Sequence, residues 1–276
     1  MAQHSRFSAS GTDKWLSCSG MLTLIDKLDI KNRSSSYAIE GTKAHDLLDK
    51  LISEYIKNKL TFNQMINSLN QKTDNQEEVK ALTYALERFY YYIDKNIFTW
   101  LASETRFNLS WIRSNMFGTG DICLATDIDH PESEIVIIDY KHGQGKFVDI
   151  FNEETQEANR QLKYYALGLA KMFDFKHKYV TIEIIQPRCV NDELHRSLTI
   201  TMDELKKYID QLGKGHDKVK EADADYDKMS LEKWSEKHLM TGNHCNNFCN
   251  VLPYCPKHYE KAIDIAKKAF ANIEVE

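Results

Sequence analysis

Ile135-Val136-Ile137-Ile138-Asp139-Tyr140-Lys141 runs four apolar residues straight into an acid and, two positions on, an amine. A short apolar run of this kind reads as a buried strand, and residues two apart on a strand project from the same face. Asp139 and Lys141 therefore point the same way. Charge at the end of a buried strand is costly unless it serves a purpose. The same acid-x-Lys spacing recurs at Glu78-x-Lys80 and Glu204-x-Lys206, but there it lies in amphipathic helical segments and makes ordinary surface charge. Position separates Asp139 from its imitators.

On either side of that strand the hydrophobic period sets the elements. Short helices are predicted within 15–28, a longer helix capped by Ser36 over 37–57, and another over 76–97 whose Phe89-Tyr90-Tyr91-Tyr92 run forms helical wall. Then the period changes to that of strands over 101–111, 118–127 and 134–141, read as a meander with a Gly118-Thr119-Gly120 turn before Asp121. A helix over 153–173, a strand over 179–186 and a helix over 202–222 follow. A charged stretch at 223–237 reads as solvated, and a last helix covers 256–271. This order indicates an α/β core with a helical N-terminal elaboration. At 276 residues the chain is expected to be one elaborated domain, with a helical part to 98, a core over 99–200 and C-terminal helices with a cysteine cluster from 201.

A composition of 42% hydrophobic and 28% charged residues argues against disorder, and no apolar run is long enough for a membrane span. Met1 to Ser10 is polar, without the apolar core of a signal peptide, so a cytoplasmic location is expected. A net charge of −5 counts mildly against a nucleic-acid partner. A metal enzyme weakens that objection, because bound cations neutralise an acidic site and a local basic rim suffices.

Asp121 lies on the strand before Asp139, where a meander can bring the two together. Two converging carboxylates without a neutralising arginine favour a divalent cation, Mg²⁺ being suited to oxygen ligands plus water. The alternative is a turn aspartate and an unrelated strand-end aspartate. His45 and Asp49 stand four apart on the helix over 37–57 and share a face, and Gly41-Thr42 just before them would admit another backbone. Gln161 and Tyr165 are paired in the same way on the helix after Lys141, and Lys146 and Arg160 could supply the basic rim. Of six cysteines, Cys123 and Cys189 sit in strand-like apolar segments and read as core. Cys245, Cys249 and Cys255 crowd one polar stretch that also holds His244, Asn246, Asn247 and Asn250, while Cys18 stands alone near the start. In a cytosolic chain such cysteines read as metal ligands or buried thiols rather than disulfides.

Gly41-Thr42-x-x-His45-x-x-x-Asp49, Gly118-x-Gly120-Asp121, Asp139-x-Lys141 and Gln161-x-x-x-Tyr165 occur in the order of the RecB-like branch of the PD-(D/E)xK nucleases, which the chain resembles over about 38–186. Trp15-Leu16-x-Cys18 and Ile185-Gln186-Pro187-Arg188 resemble a phage- and prophage-encoded family within that branch. The resemblance implies a restriction-endonuclease-like core, a mixed central sheet flanked by helices. It further implies a Mg²⁺- or Mn²⁺-dependent DNA nuclease, most simply an exonuclease, in the cytoplasm of a bacterial or phage-infected cell. DNA would be the partner, alongside a single-strand-binding or recombination protein. By the same resemblance His45, Asp121, Asp139 and the Tyr140 carbonyl hold the metal, Lys141 is the catalytic lysine, and Gln161 and Tyr165 lie near the DNA. Asp49 departs from the Glu that the family often has and is assigned behind the ligands, with Glu104 a weaker candidate for the same region. Some RecB-like nucleases, AddB-type and CRISPR-associated ones among them, hold a [4Fe–4S] cluster on one N-terminal and three C-terminal cysteines. Cys18 with Cys245-x3-Cys249-x5-Cys255 follows that plan, although four thiolates also suit Zn²⁺. The rival readings are a catalytically silent DNA-binding or scaffold module with a nuclease fold, and a zinc-stapled interaction domain.

Overall fold

The computed structural model describes residues 5–31, 36–153, 155–189, 193–246 and 249–270. Along the chain come α1 (Thr12–Ser17), α2 (Gly20–Lys27), α3 (Ser36–Asn58), α4 (Phe62–Lys72) and α5 (Gln76–Asp94), then the strands β1 (Phe98–Asn108), β2 (Phe117–Thr126) and β3 (Glu134–Tyr140). A small hairpin of β4 (Phe151–Asn152) and β5 (Glu157–Ala158) precedes α6 (Arg160–Met172), β6 (Tyr179–Ile185) and β7 (His195–Thr201). The chain ends in α7 (Met202–Tyr226), α8 (Leu231–His238) and α9 (Pro256–Phe270). These elements form two compact units, one of residues 34–209 and one of residues 1–33 with 210–276. The divisions marked in the sequence at 98 and 200 are not the boundaries of these units.

The unit of 34–209 is built on a five-stranded mixed sheet in the order β1-β2-β3-β6-β7. β1, β2 and β3 form the antiparallel meander read from the sequence; β3 and β6 run parallel, joined through α6, and β7 returns antiparallel. Ile122, Leu124, Val136, Ile138, Tyr140 and Ile185 face α3, α4 and α5, whose Leu48, Leu51, Met65, Leu82, Leu86 and Phe89 complete a dry core. Caps set the helix starts: Thr61 and Gln64 form a capping box on α4, and the Asn75 side chain accepts the Glu77 and Glu78 N–H groups of α5. Close approach on the other face depends on Gly168 of α6, where a Cβ would come within 2.3 Å of Phe107 Cβ on β1.

Several sequence expectations give way here. Residues 151–158 fold back as β4 and β5 instead of opening a helix at 153, and the Asn159 side chain then caps α6 by accepting the Leu162 N–H. Gly118 to Gly120 lie inside β2 rather than in a turn, and Gly120 is needed for space, since a Cβ there would meet Phe107 at 2.9 Å. Among the described residues no backbone approaches Gly41: none comes within 4 Å of the position its Cβ would take. Cys123 is core, but Cys189 is half-buried in a turn beyond β6. α4 and β7 have no counterpart in the sequence reading. Ser36 is already helical, so the cap of α3 falls outside the described residues, as does Ala271 at the expected end of the last helix.

In the second unit the stretch expected to be solvated is partly structural. Trp234 of α8 is fully buried and donates its indole N–H to Ala222 O at 2.8 Å, and Asp223 accepts from both Arg6 and Thr23. Trp15 is buried beside Phe7. Among the described residues no helix is long and apolar enough to cross a membrane.

Candidate metal centre

Strand register alone aligns three carboxylates. Ser103↔Ile122 and Thr105↔Gly120 bracket Glu104 opposite Asp121 on β1 and β2, and the β2–β3 ladder, whose last pair is Ile122↔Ile138, leaves Asp121 opposite Asp139. Acids directly opposite one another repel, so this row costs stability unless something positive joins it. Glu104 also holds a left-handed backbone (φ 45°), a conformation unusual for a side chain of this kind within a strand.

His45 approaches the row from α3. Its Nδ1 lies 3.4 Å from Asp121 Oδ2, and its ring packs edge-on to that of Tyr140 with centroids 5.5 Å apart. One ligand atom each from His45, Glu104 and Asp121 falls within 4.8 Å of the others. Burial opposes a charged imidazole, yet the hydrogen bond and charge of Asp121, with Asp139 and Glu104 behind it, lift His45 to about 8. Desolvation first, and then Asp121, push the Glu104 carboxyl up to about 7, with His45 opposing. Without a cation, protons are what the cluster takes up.

Asp139 is 2% exposed at the end of β3. Burial raises its carboxyl, Lys141 pulls against that, and Asp121 adds repulsion. Its Oδ2 faces Lys141 Nζ at 2.7 Å as an ion pair, but no directed hydrogen bond reaches that oxygen. Burial also disfavours the Lys141 charge, and Asp139 outweighs it, keeping the ammonium protonated. Gln161 joins the pair to α6: its Oε1 accepts from Lys141 Nζ at 3.2 Å, while its Nε2 donates to Asp139 Oδ1 at 3.2 Å and to Tyr165 Oη at 3.1 Å. The phenol of Tyr165 stays protonated through burial and the neighbouring Asp139 charge.

The sequence-predicted residues His45, Asp121, Asp139, Tyr140, Lys141, Gln161 and Tyr165 thus meet in one place. The Tyr140 N–H donates to Asp121 Oδ2 at 2.7 Å, tying the two strands where their ladder ends. Asp49 accepts hydrogen bonds from Ser103 and Ser53 and stands outside the group of ligand atoms. Arg160 is paired with Glu157 at 2.8 Å, and Lys146 is exposed. Glu104, weighted lightly in the sequence, belongs to the tightest group of ligand atoms; counting the β1–β2 register would have found it. Carboxylate oxygens with a single imidazole suit a hard divalent cation such as Mg²⁺ or Mn²⁺. At about 2.1 Å from such an ion, ligand atoms stand about 3–4 Å apart, a little closer than the 4.8 Å within which these three lie, while Asp139 stands outside that group with its Oδ2 paired to Lys141.

All six cysteines are free. In the unit of 1–33 and 210–276, burial raises Cys18 to about 11, with repulsion from Cys255 and Cys249 adding to it. Cys249 is raised in the same way by burial and then by Cys245 and Cys255, and Cys255 by burial and then by Cys245. The four sulfurs are therefore electrostatic neighbours. Cys18 and Cys255 are buried and Cys245 and Cys249 half-buried, and thiols that repel one another as thiolates are a set that a cationic centre would stabilise. His244 is held instead by Met240 O at 2.9 Å, and Asn247 lies outside the described residues.

A solved structure titled "Crystal structure of SSO0001" aligns with 87% of this chain and 95% of its own, at 10% identity and a TM-score of 0.26, a likeness too slight to carry an argument. A family model described as "Protein of unknown function (DUF2800)" matches residues 4–275. With nearly its whole length matched, the chain belongs to the DUF2800 family.

Proposed function

We propose that this chain is a Mg²⁺- or Mn²⁺-dependent DNA nuclease of RecB-like, PD-(D/E)xK type, acting most simply as an exonuclease. The observation that carries the reading is the row Glu104–Asp121–Asp139 across three adjacent strands, with His45 before it and Lys141 two residues beyond Asp139. A mixed sheet in which α6 joins the parallel strands β3 and β6 is consistent with that core.

His45, Glu104, Asp121 and Asp139 would hold the cation, with the Tyr140 carbonyl as a further ligand. The cation would supply Lewis-acid activation of water and neutralise phosphate charge. Lys141, kept protonated by Asp139, presents an ammonium to negative charge developing on the phosphate. Gln161 holds Asp139 and Lys141 in fixed relation and joins both to Tyr165, so α6 presents one side of the site. Cys18, Cys245, Cys249 and Cys255 would hold a [4Fe–4S] cluster, with Zn²⁺ as the alternative, stapling the unit formed by the two ends of the chain. DNA is the proposed partner, with a single-strand-binding or recombination protein beside it, in the cytoplasm.

End-labelled linear DNA, single-stranded DNA and closed circles incubated with Mn²⁺ test this. Degradation of linear DNA that is lost in Asp139→Ala, with circles spared, is the expected result. Intact linear and single-stranded DNA, or equal activity of Asp139→Ala, defeats the proposal; binding without cleavage points to the silent scaffold.

A further inference from the structure

The Gln186-Pro187-Arg188 stretch after β6 takes no part in the chemistry above, yet its side chains are among the most engaged in the unit. Gln186 is 2% exposed. Its Oε1 accepts the Val148 N–H and Arg196 Nη2, both at 3.0 Å, while its Nε2 donates to Lys146 O at 2.6 Å and to Gly143 O at 3.4 Å. The segment that leaves β3 after Lys141 is thereby pinned to the end of β6.

Arg188 reaches further. Nη1 donates to Glu40 Oε1 at 2.6 Å and meets His142 Nε2 at 2.5 Å, while Nη2 donates to Glu77 Oε2 at 3.3 Å. His142 Nε2 also lies 3.3 Å from Glu40 Oε1, so Arg188, Glu40 and His142 form one polar cluster. On its other side His142 Nδ1 shares a hydrogen bond with Tyr140 Oη at 2.8 Å. The Tyr140 ring packs against His45, and Glu40 stands five residues before His45 on the same helix. Two routes therefore run from Arg188 to the metal centre, one through Glu40 along α3 and one through His142 and Tyr140.

We propose that Arg188 is a positioning residue of the metal centre, fastening the helix that carries His45 to the strand end that carries Asp139 and Lys141. This rests on the metal-dependent reading of that centre. The side chain is 13% exposed and its Nη groups are spent on two carboxylates and an imidazole, so it is not available as a phosphate ligand. Its Nε is buried without a hydrogen bond, a cost accepted for where the Nη groups must go. Lysine lacks the planar fork and cannot hold both partners at once.

Mn²⁺ titration of the metal-stripped full chain, followed by calorimetry or electron paramagnetic resonance, tests the inference without DNA. Arg188→Ala is expected to weaken Mn²⁺ by about 10–100-fold, as loss of a residue behind the ligands does. Arg188→Lys should recover little of it, and Glu77→Ala, which removes only the outer contact, should move affinity far less. A residue that merely stabilised the fold would lower the melting temperature and leave the affinity of the folded protein unchanged. Folded Arg188→Ala with wild-type affinity overturns the inference. If Arg188→Ala does not fold, Glu40→Gln carries the test: weakened Mn²⁺ binding supports it and unchanged binding overturns it. Wild type that takes up no Mn²⁺ overturns both this inference and the metal reading. Uptake that is lost in Asp139→Ala but kept in Arg188→Ala overturns this inference alone.

Discussion

Oδ2 of Asp121 serves two partners at once: His45 Nδ1 at 3.4 Å and the Tyr140 N–H at 2.7 Å. One oxygen thus joins a helix side chain to the backbone of the strand that carries Asp139 and Lys141. Asp121 closes the gap where β2 and β3 part, and Glu104 and Asp139 flank it on either side. Moving either helix or strand disturbs the same atom.

Proton uptake by this cluster sets a pH dependence. His45 lies at about 8 against an ordinary 6.5, and Glu104 at about 7 against 4.5, so these two groups bind more protons in the metal-free folded chain than in the unfolded one. The His45 contribution to stability is fully present below 6.5 and is lost as pH rises through about 8; the Glu104 contribution is lost between 4.5 and about 7. A divalent cation competes with those protons. Melts in EDTA and in Mn²⁺ at about pH 6 and about pH 8 should show a Mn²⁺-induced rise that grows with pH. A rise that shrinks with pH contradicts the assignment of these two ligands.

The cysteine centre is checked by elemental analysis. Anaerobically purified protein should carry iron and sulfide, and Cys18→Ser or Cys255→Ser should remove the visible absorption and lower the melting temperature. Colourless protein with stoichiometric zinc selects the Zn²⁺ alternative, and absence of both metals removes the centre altogether.

Two glycines should respond in opposite directions. Gly168→Ala drives a methyl into Phe107 and should cost about 1–3 kcal/mol in urea unfolding, moving α6 and with it Gln161 and Tyr165. Gly41→Ala meets nothing within 4 Å on a helix and should gain about 0.5–1 kcal/mol. A destabilised Gly41→Ala would mean that its surroundings are not open.

Glu183 is wholly buried and accepts from Arg88 Nε at 2.8 Å, Arg88 Nη2 at 3.1 Å and Tyr92 Oη at 2.5 Å, binding α5 to β6. Glu183→Ala leaves the Arg88 charge without its counter-ion and should cost about 3–5 kcal/mol in denaturant titration. A loss under about 1 kcal/mol would mean that Arg88 finds solvent instead.

The meander was legible because β2 and β3 hold unbroken apolar runs, and Asp121 and Asp139 followed from their places on those strands. Glu104 was not, because its meaning lies in the residue across the ladder rather than in its own neighbours. β7 has only two apolar residues, Leu198 and Ile200, after the polar His195-Arg196-Ser197, so its alternation spans too few positions to stand out. Trp234 was hidden among the charges of α8, where a single large side chain does the burying. Arg188 was visible as a motif, but its partners at 40, 77 and 142 are distant in sequence.

The division at 33 and 210 also orders events during synthesis. Residues 34–209 are one uninterrupted stretch, so the sheet and its helices can assemble as soon as that stretch has left the ribosome. The unit of 1–33 and 210–276 instead waits for its second half, and its contacts close over the 176 residues of 34–209. Cys18 is made long before Cys245, Cys249 and Cys255, and spends that interval as a lone thiol. On the proposed reading, joining the four would be among the last steps in the birth of the molecule.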